Sequence, residues 1–165
     1  MEIRIRSTGQ VMYESEFRSL HPNTSFPAQL SESLLDSMGA DIVFEGPQAT
    51  GGTVYQFSMR QGVEQINNKW YTKHVLGPIF SDYTQEDGTV VTATEQEIAY
   101  KANKDAEQAK SVRTTRETLL KESDWTQLSD APVDKVTWAT YRQALRDIPL
   151  QAGFPWSIDW PIKPE

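Results

Sequence analysis

An α+β fold is what this sequence predicts: an N-terminal α+β domain with a long β-hairpin (residues 1–90), a long connecting α-helix (91–123), and a small helical C-terminal module with an aromatic core (124–165). Three observations carry that expectation. Residues 1–90 mix strand-period alternation with one short helical stripe, separated by glycine and proline punctuation. Residues 91–123 contain neither glycine nor proline. Residues 124–165 hold all of the chain's 5 tryptophans except Trp70, a density that lets few residues build a compact core.

In the first domain, Ile3 and Ile5 alternate with Glu2, Arg4 and Arg6, the period of a strand with one buried face, and Gly9 ends it. The stretch SFPAQLSESLLDSMG predicts a short helix. Pro27 suits its first turn, Leu30, Leu34 and Met38 recur on one side, and Gly39 takes the left-handed stop. DIVFEG follows as a buried strand, and Gly46-Pro47 and Gly51-Gly52 punctuate a loop. The runs YQFSMRQGVEQI and KWYTKHVLGPIF, joined at Asn67-Asn68, predict a hairpin with a bulge at Gly62 and Pro78 near the end or edge of its strand. SDYTQEDGTV is read as a solvated turn.

The long helix starts at a capping box, Thr94 with Glu97, and runs to about Lys121, a length of about 40 Å. Its apolar stripe is thin. Ile98, Ala102, Ala109, Val112 and Leu119 follow an approximate heptad that Asp105 and Arg116 interrupt. A mostly solvated connecting helix is the expectation, with an oligomeric coiled coil as the alternative. In the last module Asp134 caps a helix whose apolar stripe is Trp138, Tyr141, Leu145 and Ile148, Pro149 ends it, and Trp125 is expected on the same inward side, serving the module's own fold. Arg142 and Arg146 are expected on the exposed side, stacked over Trp125, Trp156 or Trp160 or paired with Asp124 and Asp130. The closing segment GFPWSIDWPIKPE has too much apolar surface for a disordered tail. Phe154, Trp156 and Trp160 either fold back over the 135–148 helix or dock into a partner's groove.

Bulk properties exclude several function classes. The chain of 165 residues has no cysteine, which removes disulfides, thiolate metal sites and a thiol nucleophile. A formal charge of −7 repels a phosphate backbone, so no nucleic-acid partner is expected. No apolar run approaches the roughly 20 residues of a membrane helix, and MEIRIRSTGQ lacks the apolar centre of a signal peptide. The expectation is a soluble intracellular or particle-bound protein without a membrane partner. Asn23-Thr24-Ser25 is read as a turn. His21 and His74 stand without a second histidine at metal-ligand spacing, and Gly51-Gly52 lacks the Lys-Ser/Thr of a phosphate loop. Asp82, Glu86 and Asp87 lack the alternating ligands of a calcium loop. No metal, cofactor or catalysis is expected, a small carboxylate-dependent hydrolase being the residual enzymatic alternative.

The C-terminal stretch resembles the phage tail assembly chaperone domain. The features that carry the likeness are Arg116 with Leu119-Leu120, the pair Asp124-Trp125, Trp138, the run Tyr141-Arg142-Gln143-Ala144-Leu145-Arg146, and the endings Phe154-Pro155 and Trp160-Pro161. The front, GQVMYESEFRSLHPNTSFP with GADIVFEGPQ, is similar to small structural proteins of tailed phages, including cyanophages. These resemblances imply a virion tail protein assembled in the host cytoplasm. They also imply phage tail or tail-fibre proteins as partners and several copies in a symmetric assembly. The protein-binding or motif residues they single out are Trp125, Trp138, Tyr141, Arg142, Leu145, Arg146, Phe154, Trp156 and Trp160. A connector within the tail is the expected role, and a transient assembly chaperone the alternative.

Overall fold

The alternation at the start forms β1 (Glu2–Ile5), and Ile3 is fully buried. A computed structural model describes residues 1–165 and divides them into two units, Met1–Ile79 and Phe80–Glu165. The long helix falls in the second unit together with the C-terminal module. No helix is long and apolar enough to cross a membrane.

In the first unit β2 (Val11–Tyr13) turns back antiparallel on β1 and leads straight into α1 (Glu14–Ser19). The sequence patterns above do not foresee either element. Each is too short to show a period, yet Phe17 of α1 is fully buried. The predicted 27–39 helix is shorter, α2 (Glu32–Ser37), because the Ser31 hydroxyl accepts from Leu34 N at 3.2 Å and starts the helix there. Pro27 therefore lies outside it, and Leu35 is the residue that α2 buries completely. Gly39 does take the left-handed position, at φ 70°.

β3 (Ala40–Phe44), β4 (Phe57–Ile66) and β5 (Lys69–Gly77) complete a sheet of order β2-β1-β3-β5-β4, parallel only between β3 and β5. Asn67 and Asn68, at φ 48° and 61°, make the tight turn of the β4–β5 hairpin. The register slips between Arg60 and Val63 around Gly62 at φ 78°, the bulge the sequence predicts. At Gly46 the N–H donates to Thr72 Oγ1 at 2.8 Å, and a Cβ there would collide with the Thr72 carbonyl. The core comprises Ile3, Met12, Phe17, Leu30, Leu35 and Ala40, with Phe26 and Ile42 against it.

The second unit begins with a two-stranded hairpin, β6 (Tyr83–Thr84) and β7 (Val90–Val91). The turn expected at SDYTQEDGTV is thus the tip of this hairpin, with Asp87 accepting from Thr89 N at 2.9 Å. α3 (Ala93–Glu122) is capped by Thr92 and Glu95, two residues before the expected box. Glu95 accepts from Thr92 N at 2.9 Å, whereas Glu97 pairs with Lys101 at 2.7 Å. Contacts from the preceding segment reinforce the earlier start: Ala93 N donates to Asp82 at 2.7 Å and the Phe80 ring lies 5.6 Å from Tyr100. After a 3₁₀ turn at Asp124–Gln127, α4 (Lys135–Asp147) starts at Asp134 as expected, its carboxylate accepting from Val136 N at 2.9 Å. A second 3₁₀ turn, Ile148–Leu150, leads into the non-helical ending.

Candidate protein-binding surface

The residues singled out in the C-terminal module divide into an inward set and an outward set. Val112 of α3 packs with Trp138, Tyr141, Leu145 and Ile148, and Leu119, Leu120, Phe154 and Ile158 close the cluster. Trp138 meets Tyr141 edge-on at 5.7 Å. Burial pushes the Tyr141 hydroxyl pKa up from its ordinary value, with the Glu122 carboxylate adding to the effect. α3 is therefore one wall of the aromatic core. Only Ala109 and Val112 of its stripe are buried, and Ile98 is exposed.

Arg142 corrects one expectation. It is buried, not on the outer side, because it follows Trp138 by four positions and precedes Leu145 by three, which puts it within the inward stripe. Its guanidinium donates to Leu120 O at 2.6 Å, Ser123 Oγ at 2.8 Å and Asp124 Oδ1 at 2.7 Å. The expected pairing with Asp124 is present. The same cation satisfies carbonyl and hydroxyl groups at the end of α3, where the helix leaves its last carbonyls without intrahelical partners. Ser123 and Thr126 are both buried, and Thr126 Oγ1 donates to Ser123 O at 2.7 Å. Lys135 donates its ammonium to Thr126 O at 3.1 Å and also to Leu128 O. Arg146 is exposed in the last turn of α4.

Trp125 corrects a second expectation: it is not buried with the inward stripe but 48% exposed, because it lies in the 3₁₀ turn before α4 and meets that stripe only through Trp138, 6.0 Å between ring centroids. Leu128, three residues on, is 60% exposed. The tail runs across both helices. Trp156 Nε1 donates to Asp105 of α3 at 2.5 Å, Arg113 stands 5.4 Å from the Phe154 ring, and Gln151 holds the loop shut by bonding both Asp159 N and Asp159 O at 2.9 Å. Trp160 borders a groove with Ser111 and Thr115 of α3, while Pro161, Ile162 and Pro164 border another with Val136 and Thr140 of α4. The polar interruption at Asp105 that weakens the heptad is thus an acceptor for the tail. Sequence reasoning missed the roles of Ser123 and Asp105 because their partners Arg142 and Trp156 lie 19 and 51 residues along the chain, and those of Thr126 and Lys135 because their bonds close an irregular turn that has no period to read.

Neither histidine builds a site of its own by sequence pattern. His21 stacks on Phe17 at 4.6 Å, its Nδ1 2.8 Å from Phe17 O, and His74 Nε2 lies 3.6 Å from Glu45. A cleft of about 330 Å³ in the first unit is lined by Arg6, Asp36, Asp41, Glu32, Lys69 and Trp70 among others. Its charges are matched: Arg6 bridges Asp41 and Asp36 at 2.7 Å each, and Lys69 faces Glu32 at 3.5 Å. The two carboxylates raise the Arg6 pKa, Asp41 most.

No curated protein and no solved structure matches the chain. The match to a known family falls on the module just described, where residues 109–165 fit the family described as phage tail assembly chaperone protein. That segment takes in the core-facing end of α3, the turn stitched by Arg142 and Lys135, α4 and the tail. Residues 1–108 lie outside it, so the likeness of the front to tailed-phage structural proteins gains no support from it. The C-terminal part of this chain is similar to the phage tail assembly chaperone family, and that similarity supports a role in bacteriophage tail assembly.

Proposed function

We propose that the chain is a bacteriophage tail protein that acts as a non-enzymatic connector: the first unit attaches to one tail component and the C-terminal module holds another. The observation that carries this reading is the coincidence of the family match with a module that has completed its own core yet keeps Trp125, Leu128, Val136 and Ile162 exposed. Large apolar side chains left outside a finished core are the raw material of a protein interface. The separately cored first unit supplies a second surface. Several copies in a symmetric assembly follow if the tail itself is symmetric.

The family description favours one further reading, a transient chaperone that binds tail or tail-fibre subunits and leaves. Mass spectrometry of purified particles separates the two. A fixed stoichiometric amount in the finished tail is expected of the connector. Expression during infection with none in the particle would replace the connector by the chaperone.

A further inference from the structure

The five-stranded sheet of the first unit ends on β2 at one side and on β4 at the other. β2 has only 3 residues and turns at once into α1, so that edge offers little to pair with. β4 runs for 10 residues, none of them buried, and no strand lies along its outer side. Alternate residues of such an edge point their N–H and C=O groups outward, where only water or another strand completes them. We infer that β4 is a self-association edge, which pairs antiparallel with β4 of a second copy of this chain about a two-fold axis between Gln61 and Gly62.

The bulge selects that occupant. Register slips between Arg60 and Val63, with Gly62 at φ 78°, so a straight strand laid along β4 keeps step with one half and loses the other. An antiparallel second β4 carries the same irregularity at the same point, and both halves stay in step. The bulge also sets which side chains meet. Across the β4–β5 ladder Phe57 faces Gly77 and Ile66 faces Lys69, positions an even number of residues apart on β5, so both project from one face of the sheet. They stand at opposite ends of β4 and are 55% and 41% exposed. The two-fold axis brings Phe57 of each copy opposite Ile66 of the other, which covers both side chains in both copies. No charge falls directly opposite its like. Arg60 meets Val63 and keeps its own pairing with Glu2 at 2.6 Å, and Glu64 meets Met59.

Sedimentation of the full chain over a range of concentrations tests the inference. A monomer–dimer equilibrium is expected, with amide hydrogen exchange of residues 57–66 slowing as the dimer fills. Phe57→Lys and Ile66→Glu should each weaken the dimer by about tenfold, because each change acts twice in a two-fold interface. The double variant should recover affinity, since the register sets the two new charges, opposite in sign, against each other at both ends. Ile98→Glu, at an exposed position of α3, leaves the dimer unchanged and separates this edge from a coiled coil. Both β4 positions are exposed, and thermal melting checks that the variants fold. Should one be unfolded, the wild-type exchange decides: protection of β4 that rises with concentration supports the pairing, and protection that does not rise overturns it. A chain that stays monomeric at every concentration, a dimer indifferent to Ile66→Glu, or a dimer abolished by Ile98→Glu also overturns it. A monomeric chain found in purified particles keeps its tail role and loses this edge, whereas a β4-paired dimer that never enters particles keeps the edge and loses the connector.

Discussion

Arg142 occupies a position where charge is costly, and the geometry shows why it is tolerated. Three short charge-assisted bonds offset the desolvation of its guanidinium, although Nε stays buried without a partner. Replacing it by leucine orphans acceptors at the end of α3. The expected loss is about 2–3 kcal/mol in denaturant unfolding of the second unit. Lysine should restore little of that, since a single ammonium cannot span Leu120 O and Asp124 as the planar fork does. Glu2 offers a pH-dependent counterpart in the first unit. Arg60, donating both bonds at 2.6 and 2.7 Å, holds the Glu2 carboxyl below its ordinary value. A depressed folded-state pKa means stability present above the unfolded value near ~4.3 and lost as pH falls through the folded one. Comparing Glu2→Gln with wild type by urea unfolding should show a deficit of under about 1 kcal/mol at neutral pH that closes in acid. A deficit constant with pH would contradict the linkage.

Among the elements, α3 and the tail explain each other. An isolated helix with so thin a stripe is marginal in water, and most of its stability must come from packing. Here that packing is local: α4 and the tail cover Val112, Leu119 and Leu120 and engage Asp105 and Arg113. Ending the chain after Gln151 removes Phe154 and Ile158 from the core and Trp156 from Asp105. The second unit should then lose about 3–5 kcal/mol and its cooperative melting transition. An unchanged melt combined with failure to enter particles would make the tail an interface instead. At the other end of α4, Asp134→Ala should cost about 1 kcal/mol in chemical denaturation, the usual worth of an N-cap.

For the whole molecule, two cores are present, one around Ile3, Phe17 and Leu35 and one around Trp138, Tyr141 and Leu145. Each unit is expected to unfold as its own cooperative block. A fragment of residues 80–165 should melt at the temperature of the corresponding transition in full-length protein, measured by calorimetry. If the fragment is unfolded, the division at Ile79 is not an energetic one. The net charge of −7 biases diffusional encounters toward cationic surfaces and away from anionic ones.

Periodicity and turn chemistry determined from the sequence alone the α+β class, the Asn67-Asn68 hairpin with its Gly62 bulge, the long helix, the Asp134 cap and the aromatic stripe. Each of these depends on residues near one another along the chain. β2 and α1 were too short to be legible, and the choice between two overlapping capping boxes turned on Asp82 reaching Ala93. Helical spacing from Trp138 and Leu145 already carried the inward position of Arg142, whereas tertiary structure alone decided which carbonyl and hydroxyl groups of the α3 end it binds, what Asp105 accepts, and that Trp156 is bonded inward while Trp125 faces out. The hydrogen bonds among them join groups 19 to 51 residues apart, and periodicity carries no signal for which distant polar groups will meet once the chain closes on itself.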